Sequence, residues 1–173
     1  DTEFLTAAQL RAIQAHIRAS ECPVVEKPSE GGSHGRRGST AWRFRRDRAL
    51  CALIAGAGLK VGELQALRIA DVTETGGKTW IDIRSTTSRR LMSLPGAMGG
   101  IDSSWARERA GEGAGAEILM PRLLLVPGAP AGTPLASRTV GRIVQTFFAD
   151  LEILGGLTPQ RLRNGLLADM IRR

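Results

Sequence analysis

The side chains in this sequence best equipped to bind something are arginines. The chain carries 24 cationic residues against 17 acidic ones, a net charge of +7, and of those cations only Lys27, Lys60 and Lys78 are lysines. A guanidinium is planar and offers paired N–H donors to two phosphate oxygens, so an arginine-rich surface suits a polyanion. Abundant arginine, alanine and glycine also accompany a GC-rich coding sequence, so composition alone leaves nucleic-acid binding open. The run Trp42 to Arg46 is more pointed, because Trp42 and Phe44 alternate with Arg43, Arg45 and Arg46. Such alternation suits contact with a nucleic-acid backbone and its bases. It equally suits a basic segment whose two rings turn back onto the core.

Other chemical patterns fail on their context. Gly76-Gly77-Lys78-Thr79 looks like the end of a phosphate-binding loop, but Val72 stands where the first glycine is required and a strand follows in place of a helix. The run Gly111-Glu112-Gly113-Ala114-Gly115 lacks the strand before and the helix after that a dinucleotide fingerprint needs. His16, His34, Cys22 and Cys51 form no CxxC pair and no metal-ligand spacing, so the cysteines read as reduced structural thiols and no cofactor is expected. Neither histidine lies in a motif that presents a serine nucleophile.

A chain of 173 residues suits one domain, here spanning residues 1–173. Thr6 and Gln9 make a capping-box signature, Leu5 and Leu10 a hydrophobic staple, and Leu10, Ile13 and Ile17 recur at helical spacing, which predicts a helix over residues 7–19. Pro23, Pro28 and the glycines at 31, 32, 35 and 38 predict a basic, Gly/Pro-rich loop over residues 20–45, with Arg36 and Arg37 in it. A helix from Arg46 to Gly56 and a short one from Val61 to Leu67 follow. Thr79 to Ile83 and Arg89 to Leu94 alternate as strands about the turn-prone Ser85-Thr86-Thr87-Ser88. Trp105 to Arg109 reads as a short helical patch, and Leu123 to Val126 as a buried strand or extended apolar segment. Val140, Ile143, Val144, Phe147, Phe148 and Leu151 form the strongest helical stripe. After a Gly155-Gly156 turn, Thr158 and Pro159 open a last helix. The expected class is mainly α with a small antiparallel β-sheet.

Two of these stretches carry a resemblance. In the first, Arg46-Asp47 opens a helix, Gly58-Leu59-Lys60 makes a turn, and Glu63-Leu64, Leu67 and Asp71 follow. The second is Leu157-Thr158-Pro159-Gln160-Arg161-Leu162-Arg163-Asn164. In type and order they resemble the two signature regions of the tyrosine recombinases, the phage integrase family. The elements between them also fit, so the resemblance covers nearly the whole chain and implies that family's catalytic-domain fold. It implies a chemistry in which two arginines bind the scissile phosphate and a tyrosine hydroxyl attacks it, while histidines and a hairpin lysine manage charge and protons. The departures are specific. Lys60 stands at the first arginine position, Gln160 at the first histidine position, Asn164 at a position often histidine, and Ser85 is the best match to the hairpin lysine. Arg163 keeps the second arginine. The family's tyrosine lies well beyond that arginine, whereas this chain runs ten residues past Arg163 and contains no tyrosine at all. Truncation would not change Arg to Lys, His to Gln and Lys to Ser, so a degenerate active site is the expectation.

The expected function is therefore non-catalytic binding of duplex DNA phosphates, in an accessory or regulatory factor of a mobile element or plasmid. Its expected contacts are Lys60, Lys78, Arg84, Arg89, Arg90, Arg142, Arg161 and Arg163, with Arg43 and Arg45 from the basic segment. Two alternatives stay open: a fragment of an active recombinase, and a protein–protein adaptor on the same fold. For single residues, Arg163 has the alternative of pairing with Glu63 or Asp71, and Lys60 that of a solvated turn residue. The family places a separate DNA-binding domain ahead of this one, so self-association or a second recombinase or DNA-binding protein is an expected further partner. No apolar run is long enough to span a membrane, and Asp1-Thr2-Glu3-Phe4 lacks a secretion signal's pattern. Asp1 in place of methionine reads as a trimmed start, and the expected location is the cytoplasm, at the nucleoid.

Overall fold

One helix forms the centre of the structure, a computed structural model that describes residues 4–22, 40–94, 96–112, 118–121 and 133–172. Helix α2 (Thr40–Ala57) is buried without interruption from Ala49 to Ala57. That stretch, ALCALIAGA, is apolar on every side, and such a helix must be covered on every side. Helices α1 (Ala7–Ala19), α4 (Gly96–Ala110), α5 (Ser137–Phe147) and α6 (Pro159–Arg172) pack around it. Its alanines and Gly56 let those neighbours approach closely.

Local signals explain the outer helices. Thr6 Oγ1 accepts from the Gln9 N–H at 3.1 Å, and Gln9 Oε1 accepts from the Thr6 N–H at 2.9 Å, which closes the capping box of α1. At α6, Thr158 Oγ1 accepts from the Arg161 N–H at 3.1 Å ahead of Pro159 as first helical residue. Helix α5 buries Val140, Ile143 and Val144, while Phe148 is buried from the turn that follows it.

Two helices are longer than their sequence signals. Helix α2 begins at Thr40, so residues 40–45 are helical where a loop was expected. The reason is that Trp42, Arg46, Ala49, Leu50 and Leu53 continue one helical face, and arginine is a good helix former. Trp42 is buried with its ring 5.3 Å from that of Trp105, and its indole N–H donates to Glu112 Oε1 at 2.7 Å. Phe44 stacks on Phe147 at 6.0 Å. Both rings thus serve the fold. Helix α4 starts at Gly96, well before the expected patch, and Gly99 lets it pack closely on β2. A Cβ at Gly99 would lie 2.8 Å from Thr79 Oγ1. The remainder of the expected loop, residues 23–39 with Arg36 and Arg37, lies outside the described residues, as do Gly113 to Gly115 and Leu123 to Val126.

After α3 (Val61–Ala66) and a 3-10 turn at Ile69–Asp71, strands β1 (Val72–Thr75), β2 (Lys78–Arg84) and β3 (Arg89–Leu94) form an antiparallel sheet in the order β1-β2-β3. Gly76 and Gly77, both at positive φ, make the two-residue turn between β1 and β2. Thr79, Ile81, Ile83 and Leu94 are buried on the face towards α2 and α4. Strand alternation puts Lys78, Trp80, Asp82 and Arg84 on the opposite face, with Ser93, Leu91 and Arg89 beside the last three.

Candidate nucleic-acid interface

The turn after α2 sets the site. Gly58 has φ +67°, a left-handed conformation that ends the helix and that side-chain-bearing residues rarely adopt. Its carbonyl accepts from Arg163 Nε at 3.0 Å, which ties α6 to the turn two residues before Lys60. Lys60 is exposed, and among the described residues its ammonium has no hydrogen-bond or ion-pair partner. Opposite it stands the end of the β2–β3 hairpin. Lys60, Gly62, Glu63, Ala66, Arg84, Ser85 and Thr86 line an open cleft of about 600 Å³. The fold thus gathers Lys60 and Ser85 at one cleft, with Arg163 held at the adjoining turn. Gln160 is exposed on α6 and Asn164 is half-buried, and neither lines the cleft.

Arg163 does not pair with Glu63 or Asp71; its recorded partner is the Gly58 carbonyl. Glu63 is held instead by Arg90, whose Nη1 and Nη2 lie 2.5 and 3.0 Å from its two oxygens. Glu63 Oε1 also accepts from the Lys60 N–H at 2.9 Å. Burial raises the carboxyl's pKa, but the hydrogen bonds from Arg90 and Lys60 outweigh it and leave the group below its ordinary value. A depressed folded pKa gives stability that is present above the unfolded value and lost as pH falls through the folded one. Arg90→Ala is expected to cost about 2–3 kcal/mol at pH 7, since it strands a buried carboxylate. Urea melts of the two proteins should converge below pH 4.5, the ordinary value for this carboxyl.

The hairpin end carries a second carboxylate device. Asp82 accepts from Arg89 Nε and Nη2 at 3.0 and 2.8 Å, and from Arg84 Nη2 at 3.0 Å. Hydrogen bonds from Arg89 and then Arg84 hold its carboxyl below the usual range, so it stays charged and aligns two guanidiniums on the sheet's outer face. Ser85 is committed to the turn: its hydroxyl bonds Ser88 Oγ at 3.0 Å and accepts from the Ser88 N–H at 3.1 Å. The cleft therefore offers cations and N–H donors to an anion. Its one carboxylate is locked by Arg90. Among the described residues no group of three or more His, Cys, Asp or Glu is placed to hold a metal ion.

The other expected contact residues are dispersed. Arg45 grips Glu108 through Nε and Nη2, the shortest contact being 2.8 Å. Arg161 Nη1 donates to the Leu154 and Gly156 carbonyls at 2.7 and 2.6 Å and braces the loop before α6. Arg43 is exposed on α2, and Lys78 is exposed at the far end of β2. Arg142 lines a different cleft beside His16, Phe44 and Phe147. Sequence reasoning did not single out Asp82, the Arg90–Glu63 clip or Trp80. Strand alternation was the available signal for Asp82 and Trp80, since it places both on the face of Arg84.

No family model matches the sequence, and no curated protein matches it. Solved structures do match in fold. Over 98% of this chain it superposes on the XerA recombinase with a TM-score of 0.66 at 16% identity, covering 50% of that chain. The XerH site-specific recombinase, in a post-cleavage complex with a palindromic difH substrate, gives 0.65 at 19% identity and 42% of its length. The Tn1549 transposon integrase, in complex with a circular intermediate DNA, gives 0.51 at 16% identity and 54% of its length. The chain thus spans about half the length of these proteins, and the likeness shows the fold: a mostly helical body with a small antiparallel three-stranded sheet, the catalytic-domain architecture of the tyrosine recombinases.

Proposed function

We propose that this chain, built on that architecture, grips the phosphates of duplex DNA without cutting it. The observation that carries this reading is the cleft between the Lys60 turn and the β2–β3 hairpin. Lys60 and Arg84 line it together with Ser85 and Thr86, and its single carboxylate is that of Glu63. Ser85 is engaged by Ser88, Glu63 is engaged by Arg90, and no residue of the chain is a tyrosine. Without the nucleophile and the full set of phosphate donors, no useful cleavage rate remains. Phosphate contacts position a protein on DNA and carry little sequence information. That fits an accessory or regulatory factor of a mobile element or plasmid, located at the nucleoid and working with a second copy or another recombinase.

The test is binding to labelled duplex DNA between 50 and 200 mM salt, conditions over which counterion release dominates. Affinity should fall steeply, and Lys60→Ala and Arg84→Ala should each flatten the logarithmic slope by about one unit. Wild-type protein with no salt-sensitive binding would sink the reading and leave the adaptor role. The span of about half the matched chains favours one further reading, a piece of a longer recombinase whose tyrosine lies elsewhere. A coding sequence that runs on past Arg173 to a tyrosine-bearing helix would establish it; a stop codon there would end it.

A further inference from the structure

The outer face of the sheet holds a feature that phosphate gripping does not use. Trp80 lies at its centre, opposite Thr73 on β1 and Ser93 on β3. Both flanking partners are small, so part of the ring stays open to solvent. The indole is half-buried, and among the described residues it makes no ring, cation–π or hydrogen-bonding contact. Leu91, diagonal to it and opposite Asp82, is 60% exposed. Diagonal neighbours on a sheet face lie about 7–8 Å apart, within reach of an aromatic side chain. Tryptophan and leucine side by side on an open face are costly to leave in water.

The same face is basic. Lys78 precedes Trp80 by two residues and Arg84 follows it by four, so along the strand they stand about 7 and 13 Å away. Arg89 lies across from Arg84, and Asp82 is the carboxylate that holds the two guanidiniums in place. A partly exposed aromatic ring between cations fits an unpaired nucleobase and its flanking phosphodiesters. The ring stacks on the base and the cations meet the charge. Duplex DNA fits less well, because its bases are already stacked and present no face to Trp80.

We propose that the outer face of the sheet binds single-stranded nucleic acid, with one base stacked on Trp80 and the adjacent phosphates held by Lys78 and the Arg84–Arg89 pair. This site goes beyond the duplex-phosphate reading, although the two share Arg84. It requires no chemistry at the Lys60 cleft and no cofactor.

Intrinsic fluorescence tests it with little ambiguity. The chain has three tryptophans, and Trp42 and Trp105 are only 1% and 2% exposed, so a ligand in solution reaches Trp80 alone. Wild type, Trp80→Phe and Trp80→Leu are titrated with end-labelled oligothymidylate and oligouridylate, a labelled duplex and base-free polyphosphate, label anisotropy reporting affinity for all three proteins and tryptophan quenching reporting the wild type. The expected result is saturable quenching by the two oligonucleotides and none by polyphosphate. Trp80→Leu should bind oligothymidylate about 10-fold more weakly, and Trp80→Phe, which keeps a ring, within about 3-fold of wild type. Comparing thymidylate with uridylate tells whether DNA or RNA is the better source of the same chemistry. If Trp80→Leu fails to fold, the wild type decides, since a bound oligonucleotide must shield its emission from acrylamide. Salt-sensitive duplex binding with neither quenching nor shielding by oligonucleotides overturns the stacking site and leaves the phosphate reading intact. Absence of binding to every probe overturns both.

Discussion

Arg109→Ala should lower the stability of this protein by about 3–5 kcal/mol, the cost of removing one partner from a buried charged pair. Arg109 is 0% exposed on α4. Its Nε and Nη2 both donate to the Ile118 carbonyl, at 3.1 and 2.9 Å, and Nη1 meets a Glu112 oxygen. The other Glu112 oxygen accepts the Trp42 indole N–H at 2.7 Å, so the network joins the start of α2 to the end of α4 and to the segment at Ile118. Alanine leaves a largely covered carboxylate and a main-chain carbonyl short of donors and opens a cavity. At about 2–4 °C per kcal/mol for a chain of this size, the melting temperature should fall by about 10 °C. Arg109→Lys keeps the charge but not the fork, and should lose an intermediate amount. Adding Glu112→Gln to Arg109→Ala should cost less than the two single losses together, because the stranded carboxylate is then gone. Additive losses would show that the two side chains are not coupled.

That network marks where the sequence stopped being legible. Elements with self-contained signals could be read to within a residue at either end. The Thr6–Gln9 capping box gave the start of α1, and alternation about Ser85 to Ser88 gave β2 and β3. Where tertiary packing sets the boundary, local signals misled. Residues 40–45 looked like the tail of a glycine-rich loop, yet Trp42 belongs to the buried face of α2 and needs Trp105, far along the chain, to make that face favourable. Only Trp105 to Arg109 carries a local helical signal, yet α4 starts at Gly96, and Gly99 within it packs against Thr79 across the core. The arginines were the hardest to read. A guanidinium has five donors, and a main-chain carbonyl at a helix end satisfies them as well as a phosphate does. Arg48 bonds the Ile17 and Arg18 carbonyls at 2.8 and 2.7 Å, Arg161 braces Leu154 and Gly156, and Arg163 takes Gly58. In a chain with three lysines, arginine is both the internal brace and the outward cation, and composition does not separate the roles. Position in the fold does. Lys60 and Arg84 line the cleft, and Lys78, Arg84 and Arg89 share the outer face of the sheet, while Arg43 and Arg142 face outward elsewhere.

Asp102→Asn should have the opposite effect and raise stability at neutral pH. Asp102 is 0% exposed on α4, and neither carboxylate oxygen has a hydrogen-bond partner. Burial pushes its pKa well above the ordinary value of 3.8, so the folded protein holds the proton that the unfolded chain gives up. In the interval between those two values the native state binds the extra proton. Stability then falls as pH rises, by about 1.4 kcal/mol per pH unit for one such group. Asparagine has nearly the same shape and nothing to titrate. It should therefore match wild type near pH 4 and exceed it by a margin that grows as pH rises, with the higher melting temperature at pH 7. The Cys51 thiol on α2 faces the same region, and burial raises its pKa well above 9.0, so it stays neutral throughout the window. Asp47, raised by burial against the pull of Arg46, and Glu63, lowered by Arg90, also change stability with pH. Both are common to the two proteins and drop out of the difference. Urea melts of wild type and Asp102→Asn at half-unit intervals from pH 4 to pH 8 isolate the one carboxyl. Curves that diverge steadily above pH 4 confirm a proton held in the core between α2 and α4. Parallel curves would mean that Asp102 ionises in place, and then something polar must reach it through the helix packing.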